Sequence, residues 1–266
     1  MSESKLGTAN LSKAYIGTSE VKKIYLGTQL VHGGVFIPGT GKQIHSGWVP
    51  ENGNIVAYWR FDESSYNGTA GEVAATVGGP GLNGTASSLV ILNPSSIIPG
   101  NFAVFPTNNS AHISMTDSAG VMNFQGDFSL SCWVYIHENR ASGIFERGNT
   151  NTQFSLLTDS GSLRFRVAND DANVNVTPYI DNWIHVVCLY QRSTKYADLY
   201  VNGSRVHWIT CTNYMNNNLP LAPVAIGALT TASGTHHLNG SIDELCLWKT
   251  LLTPAEITTI YNHQKP

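Results

Sequence analysis

From Phe128 to Ile136 the chain alternates without a slip: Phe128, Leu130, Cys132, Val134 and Ile136 fall on one side, and Ser129, Ser131, Trp133 and Tyr135 on the other. A period of two belongs to an extended strand with one face in a core, because successive side chains on a strand point to opposite faces. Leu163, Phe165 and Val167 repeat the pattern with Arg164 and Arg166 opposite. Residues 183–190 are apolar on both faces apart from His185, which reads as a central strand with His185 filling a core or sheet position. Asn202-Gly203, set between 197–201 and 204–208, predicts a two-residue hairpin turn. Residues 242–248 form the last strand pattern. Thr253-Pro254-Ala255-Glu256 then predicts a short helix, with threonine as cap, proline in the first turn and Glu256 closing a capping box before Ile257, Ile260 and Tyr261. Many spaced strands and almost no helix predict an all-β antiparallel sandwich.

The first thirty residues carry a different regularity. Lys5-Leu6-Gly7-Thr8 returns as Tyr15-Ile16-Gly17-Thr18 and as Tyr25-Leu26-Gly27-Thr28, with Leu11, Val21 and Val31 in step. Ten residues are too few for a helical solenoid unit, so the repeat reads as short strands with glycine-permitted turns. Strands this short cannot build a core alone. Leu6, Leu11, Ile16, Val21, Leu26 and Val31 are therefore predicted to bury against other chains, most simply copies of this one. Units of this form resemble the short N-terminal modules of tailed-bacteriophage virion proteins. That resemblance implies an anchoring and oligomerisation segment (1–32) that mounts the chain on other virion proteins. A glycine- and proline-rich connector (33–52) leads to a displayed domain (53–266).

Composition narrows the function. With 15 Lys+Arg against 18 Asp+Glu the net charge is −3, and no basic tract offers a footprint for nucleic acid. No apolar run approaches the length of a membrane span, and Met1-Ser-Glu-Ser-Lys5 lacks the start of a signal peptide, so the chain is expected to be made in the host cytoplasm and to end on the virion surface, with no membrane insertion. Cys132, Cys188, Cys211 and Cys246 show no metal or redox spacing and read as buried free thiols.

A second resemblance rests on landmarks in order: Tyr58-Trp59-Arg60-Phe61-Asp62-Glu63, the 128–134 strand, Trp183-Ile184-His185-Val186, Leu199-Tyr200-Val201-Asn202-Gly203, Gly240-Ser241-Ile242-Asp243-Glu244, and Leu252-Thr253-Pro254-Ala255-Glu256-Ile257. Together they are similar to the concanavalin A-like, laminin G-type jelly roll over about residues 55–262. The resemblance implies two curved antiparallel sheets, carbohydrate or protein binding, and often one structural calcium. Asp62, Glu63, Asp243 and Glu244 are the carboxylates that could hold calcium, which takes six to eight oxygens. The family's Asp-x-Ser-Gly-Asn turn after the opening motif is missing here, with Glu72 the nearest acid. The alternative reading is that these acids bond turn amides without metal.

Some members of this family are glycosidases, which need two carboxylates placed across a bond and whose retaining members resemble one another in a Glu-x-Asp-x-x-Glu strand. None is present. His236-His237 beside Gly234 reads as a solvent-facing loop pair, and no Gly-x-Ser-x-Gly elbow supports a serine triad. The expectation is a non-enzymatic virion surface protein, in a tail fibre or baseplate first and a head fibre or capsid decoration second, that adheres to cell-surface glycans. Trp133, Tyr135, Arg164, Arg166, Trp208 and Tyr214 are the candidate sugar contacts, being residue types that stack on rings and bond hydroxyls. A glycan-active hydrolase and a bacterial extracellular adhesion module are the competing readings.

Overall fold

A computed structural model describes residues 14–16, 19–21, 25–26, 29–30, 54–95, 100–106, 110–148, 153–215, 222–229 and 236–264. The chain divides into two compact units: residues 53–93 with 101–252, and residues 1–52 with 94–100 and 253–266.

The larger unit is a sandwich of two antiparallel sheets. One has seven strands in the order Asp170–Asn175, Ser162–Val167, Phe154–Asp159, Ser142–Arg147, Pro223–Ile226, Ile113–Thr116 and Thr85–Ala86. The other runs Ser204–Thr210, Tyr196–Val201, Trp183–Gln191, Phe128–Ile136, Gly240–Trp248, Ile55–Trp59 and Ala75–Val77, and Gly100–Phe105 pairs with the first part of Gly240–Trp248. Trp183–Gln191 is central, as its apolar faces predict, and His185 is buried with Nε2 2.9 Å from Ser131 Oγ.

The alternating residues of Phe128–Ile136 meet the opposite sheet in the core. Phe128 lies with its ring centroid 4.5 Å from Phe154 and 4.7 Å from Phe124, and Phe145 lies 5.8 Å from Phe154. Each such ring contributes about 1.5–3 kcal/mol on leaving water. Ser129, Ser131 and Trp133, on the other face of the same strand, are buried too. Periodicity reports one buried face and is silent about a second.

Two local features fix the loops. Asp117 and Arg147 form a fully buried ion pair, Nη2 to Oδ2 at 2.7 Å, while the same carboxylate accepts the amides of Val121 and Met122 at 2.8 and 3.0 Å. Gly227 adopts φ +78°, and a Cβ there would sit 2.3 Å from the Phe105 ring, so the tight passage after Pro223–Ile226 demands glycine. All four cysteines are buried free thiols, and burial raises the pKa of Cys211 to about 11.

In the smaller unit, Ala14–Ile16 pairs with Ser19–Val21 and Tyr25–Leu26 with Gln29–Leu30, so the strands flank Gly17-Thr18 and Gly27-Thr28 as the repeat predicts. Leu6, Leu11, Val31 and the connector lie outside the described residues, and Ile16, Val21 and Leu26 are described by backbone alone. The helix Pro254–Gln264 opens on the expected capping box: Glu256 N donates to Thr253 Oγ1 at 3.3 Å, and Thr253 N donates to Glu256 Oε2 at 2.7 Å.

Candidate functional site

Among the described residues, the exposed large apolar side chains are Ile91, Val121, Tyr196, Trp208 and Tyr214, and Tyr196 and Trp208 belong to the two strands of one hairpin. Its turn, Asn202-Gly203, has φ of 50° and 81°, the left-handed pair that a two-residue hairpin turn requires. The register then slips. Val201 pairs with Ser204 and Tyr200 with Arg205, but Leu199 pairs with His207 and Asp198 with Trp208. Val206 is the extra residue of a bulge. In a continuous ladder Trp208 would oppose Ala197, which faces the core; the bulge sets it beside Asp198 on the outer face instead.

Trp208 is 50% exposed and Tyr196 38%, with ring centroids 5.5 Å apart. The Arg205 guanidinium lies 5.5 Å from the Trp208 ring centre, and its Nε donates to Asp198 Oδ1 at 2.7 Å. The result is an apolar ring with a carboxylate and a guanidinium held at its margin. Tyr214 has its ring 5.0 Å from Lys195 Nζ and 5.1 Å from the Arg192 guanidinium. Of the predicted sugar contacts, Trp208 and Tyr214 are the two exposed aromatic rings. Tyr196, Asp198 and Arg205 were not singled out in the sequence; a strand's period of two is the signal that would put the first two on one face.

The other predicted contacts lie elsewhere. Trp133 is buried, its ring 5.3 Å from His185, and presents no stacking face to solvent. Tyr135 is half-buried, edge-on to Trp183 at 5.7 Å. Arg164 and Arg166 project from the seven-stranded sheet and close on Asp171, at 2.9 Å from Arg164 Nη1 and 2.7 Å from Arg166 Nε. Burial pushes the Asp171 carboxyl up, but the bonds and charges of Arg166 and Arg164 outweigh it and hold the group below its usual range.

On the same sheet the register lines Thr85, Ser114, Ala225, Glu146, Ser155, Arg166 and Asp171 across one face. At the Thr85 end opens a groove of about 780 Å³ whose described lining holds Asn83, Thr85, His112, Ser114, Thr116 and His237, and no carboxylate. His237, expected to face solvent, is half-buried and bridges to both Gly143 and Ala228. Burial lowers its pKa, against the hydrogen bond to Ala111, and the neighbouring His112, Arg140 and His236 lower it further.

The four acids considered for calcium are engaged with Arg60 and with nearby amide and hydroxyl donors. Arg60 stands among them, Nη2 2.5 Å from Asp62 Oδ2 and Nε 3.6 Å from Glu244 Oε1. Asp62 also accepts the Asn101 amide at 2.9 Å, and Glu63 accepts from Ala74 N at 2.8 Å and Tyr66 Oη at 2.7 Å. Glu244, at φ 52° in the bulge opposite Ser131–Trp133, accepts the Tyr58 hydroxyl, and Asp243 accepts the Glu244 amide at 2.8 Å. Glu72 caps the 67–68 turn through two amides. Burial lifts Glu244 to about 7, against Arg60 and Tyr58, and burial with the Glu244 charge holds Asp243 well above its usual value. Arg60 supplies positive charge among these carboxyls. Among the described residues no group of three His, Cys, Asp or Glu side chains is placed to hold a metal.

Solved structures share this architecture. The binding domain of botulinum neurotoxin serotype C1 is 16% identical over 79% of this chain and 52% of its own, with a TM-score of 0.59. Domain 4 of AbnA, a GH43 extracellular arabinanase from Geobacillus stearothermophilus solved with arabinotriose, is 17% identical over 78% of this chain and 98% of its own, with a TM-score of 0.57. A structure of botulinum neurotoxin type C, whose cell entry depends on two ganglioside molecules, is 15% identical over 81% of this chain and 52% of its own, with a TM-score of 0.59. This chain therefore spans about half the length of the toxin domains it matches. No curated protein matches it. The family model for the concanavalin A-like lectin/glucanases superfamily matches residues 107–258, more than half of the sequence. With the two-sheet jelly roll and the ordered landmarks, that match makes this chain a member of the concanavalin A-like lectin/glucanase superfamily.

Proposed function

We propose that this chain is a non-catalytic carbohydrate-binding jelly roll on the surface of a tailed-phage particle, mounted by its N-terminal repeats and adhering to host or environmental glycans. The observation that carries the sugar-binding reading is the Trp208 surface. A pyranose or furanose presents an apolar C–H face that stacks on an indole, and its rim of hydroxyls meets donors and acceptors at the margin of the ring. Asp198 accepts from such hydroxyls and Arg205 donates to them. The solved relatives that carry arabinotriose or engage gangliosides support a sugar as the ligand class.

A surface this open holds one sugar weakly, on the order of millimolar. Several copies held together raise avidity by about 10²–10⁴, so the mounting repeat and the weak site suit one another. The ten-residue repeat supports placement on a virion, with tail fibre or baseplate as the first location and head fibre or capsid decoration as the second. The acid-free groove gives no support to a glycan-active hydrolase.

The test is binding of the full chain to a panel of bacterial wall and capsule glycans, followed by titration of Trp208→Ala and Tyr196→Ala. Trp208→Ala is expected to weaken binding at least about tenfold while leaving the melting temperature unchanged, since a half-exposed ring contributes little to the core. Unchanged binding by Trp208→Ala would remove this surface from the reading, and no binding to any glycan would remove the lectin role itself.

A further inference from the structure

The groove on the seven-stranded sheet holds two histidines that the sugar-binding surface does not use. His112 precedes the strand Ile113–Thr116, and His237 bridges to Ala228 and Gly143, so both are set by sheet backbone. Their ring centroids are 5.7 Å apart with 49° between planes. His112 Nδ1 lies 2.8 Å from the Ser110 carbonyl, and His237 Nδ1 lies 3.2 Å from the Ala111 carbonyl. A carbonyl oxygen only accepts, so each Nδ1 carries the proton and each Nε2 carries the lone pair. An Nδ1–H bound to a backbone carbonyl is the arrangement that fixes tautomer and ring orientation in histidines that ligate through Nε2.

We propose that His112 and His237 form a two-histidine site for a borderline transition-metal ion, Zn²⁺, Ni²⁺ or Cu²⁺, held through their Nε2 atoms in this groove. Two imidazoles on one ion, with metal–nitrogen distances of about 2.0–2.1 Å, place their ring centres about 5 Å apart, against 5.7 Å here. Imidazole selects these metals over calcium, which wants oxygen. Two protein ligands leave coordination positions open. Thr85, Ser114 and Thr116 hydroxyls line the same groove, so water or the oxygen of a bound molecule can complete the shell. Arg140 donates to the His237 carbonyl at 3.0 Å, and its charge is paired with Glu138 at 3.1 Å, which limits its repulsion of an incoming cation. The site lies on the sheet that does not carry Trp208, and it stands or falls independently of sugar binding.

The experiment is titration of the tag-free full chain with ZnCl₂ and NiCl₂ by calorimetry at pH 7.5, with Cu²⁺ loading for electron paramagnetic resonance. One site with a dissociation constant of about 1–100 μM is expected, with hyperfine structure from two nitrogens. His112→Ala and His237→Ala should each weaken it at least about tenfold, His236→Ala should leave it unchanged, and CaCl₂ should not compete. The proposal is overturned if no site tighter than about 1 mM appears. It is equally overturned if both single variants bind like the parent, or if His236→Ala alone abolishes binding.

Discussion

Replacing Arg60 with methionine should make stability fall with pH where the parent levels off. Glu244 is buried, with its carboxyl raised to about 7 against an ordinary value near 4.3 in the unfolded chain. A carboxyl with a raised folded pKa gives stability that is fully present below the unfolded value and is lost as pH rises through the folded one. In the parent that loss ends just above pH 7, because Arg60 at 3.6 Å accepts the new charge. At an effective dielectric of about 20 a charge pair at that distance is worth several kcal/mol, on the order of 332/(20 × 3.6), so Arg60→Met raises the Glu244 carboxyl further above its value in the parent. The extra loss is then absent at pH 5, where Glu244 holds its proton in both proteins, and grows from pH 7 through pH 9 by on the order of 1 kcal/mol per pH unit. Urea denaturation of both proteins at several pH values across that range measures it, and EGTA should leave the parent's midpoint unchanged at each. A difference that stays flat from pH 5 to pH 9 would refute the assigned role of Arg60, and a midpoint lowered by EGTA would return calcium to this cluster.

Three further outcomes follow from the geometry. Deleting Val206 removes the bulge and turns Trp208 toward Ala197, so glycan binding should be lost with Trp208 fluorescence shifted to the blue; unchanged binding would show that the register does not place the ring. Asp117→Ala strands a buried guanidinium and two amides and should cost about 3–5 kcal/mol by urea titration, part of which Asp117→Ala/Arg147→Met recovers; a loss under about 1 kcal/mol would contradict the burial of the pair. On the proposed mounting role, removing residues 1–32 should leave a cooperatively folding, monomeric sandwich that no longer enters particles, checked by sedimentation and by mass spectrometry of purified virions; incorporation at normal levels would defeat that proposal.

The strands were legible wherever one mechanism dominated. Alternation located Phe128–Ile136 and Ser162–Val167, glycine chemistry located the 202–203 turn, and Thr253 with Glu256 located the helix start. The surface was less legible, for reasons of register and second-face burial. Trp133 alternates with core residues yet is buried, because nothing in a period of two reveals whether the opposite face is covered. Trp208 owes its exposure to one extra residue, and no residue type in 204–210 announces a bulge. The groove histidines were hidden by distance: His112 and His237 are far apart in sequence and meet only through pairing with intervening strands.

Gly240–Trp248 lies between Phe128–Ile136 and Ile55–Trp59 in its sheet, yet it is the last strand to be synthesised. At about 5–20 residues per second, Ile55–Trp59 leaves the ribosome roughly ten to forty seconds before this neighbour on its inner edge exists, though Ala75–Val77 on its other edge follows at once. Over that interval the flanking strands present unpaired edges and apolar faces, which makes the nascent chain a client for chaperones and a hazard at high expression. The same order makes the fold intolerant of early stops. A nonsense codon before the codon for Gly240 takes away the middle of the sheet rather than its margin, so it yields an aggregating fragment instead of a smaller sandwich.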